Sequence, residues 1–146
     1  MTKLQAPSLH KELQSYCNRL THLYDQPTVI LSGSTAVGED MPWSDVDLIV
    51  IADFKKPFLE RLEELAPPLE SLFNLEVIGY TPQEFIQMLD RLDIKAIEAV
   101  EQGVLIISNP PLYRELRRKL DQLKSRGLTK TNCTYRLGAN QHAQGS

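Results

Sequence analysis

Apolar residues along this chain recur first at helical and then at strand spacing. Leu9, Leu13, Tyr16, Leu20 and Leu23 fall three or four apart, which predicts a helix. Ser8 is its expected N-cap, just after Pro7, and the helix should end before Pro27. Thr28-Val29-Ile30-Leu31 is β-branched and bounded by Gly33, the mark of a short strand. Asp45 to Ala52 reads as a second strand, apolar on both faces after its first three residues, so it is expected to be central and covered on both sides. Pro57 opens a helix with Phe58, Leu62 and Leu65 expected to face inward, closed by Pro67-Pro68. Leu72 to Tyr80 is a third strand. Thr81-Pro82-Gln83-Glu84 is a capping box with proline at the first helical position, so a further helix begins there. Ile94 to Val100 predicts another helix, and Val104 to Ile107 a short strand after Gly103. Leu112, Leu116, Leu120 and Leu123 mark a final amphipathic helix stopped by Gly127. From Leu128 the chain turns polar, and residues Gly138 to Ser146 are expected to form a loose tail behind one domain of residues 1–137. Strands and helices interleave, which predicts an α/β (α+β) fold: a small mixed sheet with helices packed against it.

Composition narrows the class without choosing a function. With 146 residues, 42% hydrophobic and 24% charged, the chain is a single globular unit with a real core. Its formal net charge of −3 argues against a dedicated duplex-DNA binder, whose affinity rests on neutralising phosphates. Cys17 and Cys133 lie far apart and belong to no metal-ligand or Cys-x-x-Cys spacing, so two free thiols in a reducing cytoplasm are expected. No apolar run approaches the roughly 18 residues of a membrane helix, and the N-terminus has no apolar leader; a soluble, cytoplasmic protein without a membrane partner is expected.

The chemistry lies between Gly33 and Val50. A phosphate-binding P-loop is excluded because Glu39 and Asp40 stand after Gly38, where a lysine is needed. A dinucleotide fingerprint fails at Thr35. Asp45 and Asp47 are two apart on a predicted strand and therefore share a face, where like charges repel and lose hydration. A divalent cation relieves that repulsion, and Mg²⁺ favours carboxylate oxygens while taking its remaining ligands from a substrate's phosphates. The Gly33-Ser34 turn offers backbone N–H groups and a hydroxyl as an anion cradle, with no Cβ at Gly33 to obstruct it.

Glu76 interrupts an apolar strand, and it reaches the same face if that strand neighbours Asp45–Asp47. Three carboxylates would then hold two metals roughly 3.5–4 Å apart, the arrangement of an in-line displacement at phosphorus. Glu70 is the fallback third ligand. Plainer readings stand beside these: a turn pair for Asp45 and Asp47, a turn serine for Ser34, a solvent-facing edge residue for Glu76. Glu39, Asp40 and Trp43 read as loop polarity, Tyr80 as core, and the basic strip Arg114, Arg117, Arg118, Lys119, Lys124 and Arg126 as a solvated helix face.

Gly33-Ser34, ten residues, and then Asp45-x-Asp47 before an apolar run together resemble the signature of the DNA polymerase β-like nucleotidyltransferase superfamily, in its minimal branch. The likeness in order runs from about Thr28 to Leu120 and includes Glu101-Gln-Gly103 before the Val104 strand. It implies a polymerase β-like palm over residues 1–137. The implied reaction transfers a nucleoside monophosphate (AMP first among them) from ATP or another nucleoside triphosphate to a hydroxyl, with two Mg²⁺ ions. By the same resemblance Gly33 and Ser34 hold the triphosphate, Asp45 and Asp47 bind both metals, and Glu76 binds one and orients the acceptor. Thr35 stands where many minimal members carry arginine, and Glu76 where aspartate is common. Minimal members are often paired with a HEPN-type helical protein as toxin and antitoxin, and some add AMP to that partner. Two alternatives stay open: a degenerate palm acting by contact alone, and an aminoglycoside-type transferase whose acceptor pocket would need a second subunit of a homo-oligomer.

Overall fold

A computed structural model describes residues 2–32, 45–67, 74–131 and 134–138, with only the backbone described for residues 2–9, 45 and 74. The elements in chain order are α1 (Thr2–Leu23), β1 (Thr28–Ser32), β2 (Asp45–Ile51), α2 (Phe58–Glu64), β3 (Asn74–Tyr80), α3 (Pro82–Asp90), α4 (Ile94–Gln102), β4 (Val104–Ile107), α5 (Pro110–Ser125), β5 (Thr129–Thr131) and β6 (Thr134–Arg136). The first four strands form one mixed sheet in the order β3-β2-β1-β4. β1 is antiparallel to both β2 and β4, whereas β2 and β3 run parallel, joined through α2 as parallel neighbours require. This is the α+β architecture expected from the sequence.

Strand alternation divides the core in two. Val29, Leu31, Val46, Leu48 and Val50 pack under Leu13, Tyr16, Cys17 and Leu20 of α1. Ile30, Ile49 and Ile51 point the other way, into Phe85, Met88 and Leu89 of α3, Ala96, Ile97 and Val100 of α4, and Leu116 and Leu120 of α5. β2 is thus central and covered on both faces, which is why it carries an almost unbroken apolar run. No helix among the described residues is long and apolar enough to cross a membrane.

Local signals act as their chemistry requires. The Thr81 hydroxyl accepts from the Glu84 N–H while the Glu84 carboxylate accepts from the Thr81 N–H, a reciprocal cap on α3. Asp93 and Asn109 cap α4 and α5 with their side chains. Gly127 ends the α5 segment with a φ of 86°, a left-handed conformation that suits glycine.

Three expectations are corrected. α1 begins at Thr2 rather than beside Ser8, so Pro7 lies within its early turns, where its fixed φ suits a helix and only one N–H bond is lost. α2 does not turn Phe58 and Leu62 inward: they are 39% and 40% exposed, while Arg61 and Leu65 are buried at 5% and 0%. The reason is polar. The Arg61 guanidinium donates to the Glu84 carboxylate at 2.7 and 3.1 Å, to the Gly79 carbonyl at 3.1 Å and to the Lys56 carbonyl at 2.7 Å, and stacks 5.0 Å over Phe54. The polar stretch after Leu128 holds an antiparallel hairpin of β5 and β6, with Leu128 and Tyr135 packed on the helical core. The expected tail lies outside the described residues from position 139 on; Gly138 itself donates to the Arg126 carbonyl at 3.1 Å. Cys17 is a buried free thiol, and Cys133 lies outside the described residues.

Candidate active site

The site grows out of strand register. Ser32 on β1 pairs with Asp47 on β2, and Asp47 pairs with Glu76 on β3. Residues paired across adjacent strands share a face of the sheet. One polar row, Ser32–Asp47–Glu76, therefore crosses three strands. Two residues along each strand the next row on this face is Ile30–Ile49–Ile78, and two residues further Thr28–Ile51–Tyr80. A sheet face that is mostly apolar and roofed by helices thus gives way to an acidic row where β1 ends and β2 and β3 begin.

Burial follows the same gradient. Ile30 and Ile49 are 1% and 2% exposed, Ser32 and Asp47 are partly exposed, and Glu76 is exposed. The row sits where β1 arrives and where β2 and β3 depart, so the segment after Ser32 starts beside the carboxylates. Ser32 Oγ lies 3.5 Å from the Asp47 carbonyl oxygen, a long contact at the margin of a hydrogen bond. Among the described residues, no cation lies within ion-pair distance of Asp47 or Glu76.

The expected site residues are distributed as follows. Asp47 and Glu76 are brought side by side by the parallel pairing of β2 and β3. Asp45 opens β2 opposite Asn74, two residues from Asp47, and its backbone alone is described. Gly33, Ser34, Thr35, Glu39, Asp40 and Trp43, together with the fallback Glu70, lie outside the described residues. Among the described residues, no group of three or more His, Cys, Asp or Glu side chains suited to a metal is assembled. The two carboxylates present are hard oxygen donors placed as directly opposed like charges, which a hard divalent cation such as Mg²⁺ fits.

Ser32 is the residue that the sequence pattern left out. Its signal was a single hydroxyl closing the apolar run Val29-Ile30-Leu31, next to Gly33. Tyr80 belongs to the core, packed between Phe58 and Phe85 at centroid distances of 5.8 and 5.9 Å, and burial raises its pKa. The basic strip on α5 is largely tied to the protein. Lys119 meets Asp90 at 2.8 Å, Lys124 meets Glu101 at 2.8 Å, Arg118 meets Glu115 at 3.3 Å, and Arg117 donates to the Val100 carbonyl at 2.7 Å. A groove on the outside of α5, lined by Tyr113, Arg114, Arg118 and Asp121, carries both signs of charge. Before α5, the Asn109 N–H donates to Thr28 Oγ1 at 3.1 Å and ties the start of the helix to β1.

Comparison with known families assigns the segment that carries this row. A family model described as a nucleotidyltransferase domain matches residues 15–101, a span that contains β1, β2, α2, β3, α3 and nearly all of α4. Neither a curated protein nor a solved structure matches the chain. The match covers more than half of the sequence, and the chain belongs to the nucleotidyltransferase domain family.

Proposed function

We propose that this nucleotidyltransferase moves a nucleoside monophosphate, AMP first, from a nucleoside triphosphate to a hydroxyl acceptor, with Mg²⁺ held by Asp45, Asp47 and Glu76. The acting unit is the single domain of residues 1–137, working in the cytoplasm. The observation that carries this reading is the register of Asp47 with Glu76 beside the end of β1. Family membership supplies the reaction class, and the acidic row supplies hard oxygen ligands where β1 ends and Gly33-Ser34 follows.

The residues divide the work by chemistry. Gly33 and Ser34 bind the triphosphate through backbone N–H groups and a hydroxyl. Asp45 and Asp47 hold the two ions, and Glu76 holds one of them and accepts the proton or hydrogen bond of the acceptor hydroxyl. When bound, Mg²⁺ neutralises charge on the phosphate oxygens. The acceptor oxygen bonds to the α-phosphorus as the bond to the β-phosphate oxygen breaks, and pyrophosphate departs with that electron pair. On the resemblance of its motif, the acceptor is sought first on a HEPN-type partner protein.

The test incubates the protein with Mg²⁺ and triphosphates labelled at the α-phosphate, alone and with a HEPN-type protein. The expected result is label on the acceptor, pyrophosphate in solution, and neither with Asp47→Asn. Absence of label with every triphosphate, joined to an unchanged biological effect of Asp47→Asn, would overturn the transferase in favour of a contact-only module.

A further inference from the structure

Ser32 stands in the acidic row without belonging to any recognised motif of the sequence. It closes an apolar strand, shares a register row with Asp47 and Glu76, and projects on the face that carries both carboxylates. On one side of that row the same face holds Ile30, Ile49 and Ile78, and on the other β2 and β3 open with Asp45 opposite Asn74, so position 32 lies at the border between the apolar face and the polar strand starts. Its present contact is slack: Oγ lies 3.5 Å from the Asp47 carbonyl oxygen. A hydroxyl offers one donor and two acceptor lone pairs; rotation about χ1 redirects the oxygen and rotation about the Cβ–Oγ bond redirects its hydrogen. Side chains directly opposed on antiparallel strands have Cβ atoms roughly 4.5–5.5 Å apart. The Asp47 carboxylate is therefore within reach of Oγ, directly or through one water.

From this placement we infer that Ser32 is a positioning residue for Asp47: its hydroxyl donates to the Asp47 carboxylate and holds it in the orientation that binds a divalent cation. The inference rests on the metal-dependent reading above and adds to it a residue from outside the acidic set. Partners of ligating carboxylates act on metal affinity through orientation, and their removal typically costs 10–100-fold. A serine that merely ended β1 would act on strand stability and leave cation affinity unchanged.

Threonine and valine separate these two roles, since both are β-branched, suit a strand, and differ by the hydroxyl. Mn²⁺ titrations followed by electron paramagnetic resonance, with and without ATP, are run on the parent, Ser32→Thr, Ser32→Val and Asp47→Asn, with thermal melts of each. The inference expects Ser32→Thr to bind Mn²⁺ within about threefold of the parent and Ser32→Val about tenfold more weakly, at similar melting temperatures. Equal Mn²⁺ affinity of the threonine and valine variants would overturn it while leaving the metal site standing. Parent protein that binds no more Mn²⁺ than Asp47→Asn would remove the metal-dependent reading itself, and this inference with it.

Discussion

Asp47 and Glu76 occupy one register position on two parallel strands, 29 residues apart in sequence and directly opposed in space. Like charges so placed oppose the pairing that creates them. The apolar rows behind them and the β2–β3 ladder hold the pair together.

The first prediction concerns function against stability at these two acids. Asp47→Asn and Glu76→Gln should each lower nucleotidyl transfer at least about 100-fold, equivalent to roughly 2.7 kcal/mol of transition-state stabilisation. Their unfolding free energy should stay within about 0.5 kcal/mol of the parent, or rise as the repulsion is relieved. Single-turnover transfer and urea unfolding on the same preparations decide it; a large loss of stability would make the acids structural instead.

A second prediction follows from Arg61. Hydrogen bonds from its guanidinium are the main reason that the Glu84 carboxyl is held below the ordinary carboxylate value. The Arg61 side chain is 6% exposed and that of Glu84 42%, so the pair is half screened. Arg61→Met should cost about 2–3 kcal/mol at neutral pH, less than a wholly buried pair would. Because the Glu84 pKa is depressed on folding, its contribution is complete above the ordinary value of 4.5 and lost as pH falls below it. Chemical unfolding between pH 3 and pH 7 should therefore show a shallower acid limb in the variant; parallel limbs would contradict the assignment.

Cys17 supports a third. Burial on the core face of α1, which packs on β1 and β2, pushes its thiol up to about 11 from an ordinary 9.0. The thiolate is the reactive form, so iodoacetamide at pH 8 should leave Cys17 unlabelled in the folded protein and modify it in urea. Since the raised pKa belongs to the folded state, the stability linked to the neutral thiol is whole below 9.0 and lost as pH climbs through about 11. Peptide mapping by mass spectrometry reads the labelling, and rapid native modification would refute it.

Gly103 yields the fourth. A Cβ there would sit 2.4 Å from the Ala99 carbonyl oxygen, 2.4 Å from Ile30 Cγ2 and 3.1 Å from the Leu31 carbonyl oxygen. Two of those are backbone atoms that cannot swing aside. Gly103→Ala should cost about 1–3 kcal/mol by overpacking. The affected contact is one residue from Ser32, so the Michaelis constant for the triphosphate should rise with it. A variant as stable as the parent would show that α4 and β1 have room to part.

Much of the fold was legible because its signals are local. The β2 run Val46 to Ile51 announces a strand covered on both faces, and Thr81 with Glu84 announces the start of α3, without reference to anything distant. The candidate acids were legible in type for the same reason. Their meeting was not, because Glu76 reaches Asp47 only if β3 pairs parallel to β2 in one register, a non-local fact. The facing of α2 was missed because apolar periodicity takes no account of an arginine whose charge is met by Glu84 and the Gly79 carbonyl. The β5–β6 hairpin was missed because Thr-Lys-Thr and Thr-Tyr-Arg are short and mostly polar, with only Tyr135 to report a buried side. Ser32 was passed over because one hydroxyl at a strand end is ordinary until its row is known.

The side-chain alternation of a β-strand makes assembly of the acidic row an all-or-none event. Were β3 to slide by a single position against β2, Leu75 or Val77 would take the place of Glu76, and the carboxylate would emerge on the α1 side of the sheet. On the proposed metal-dependent reaction, chains mispaired in this way would be inert, not sloppy, and correct threading of the sheet would act as a built-in safety catch.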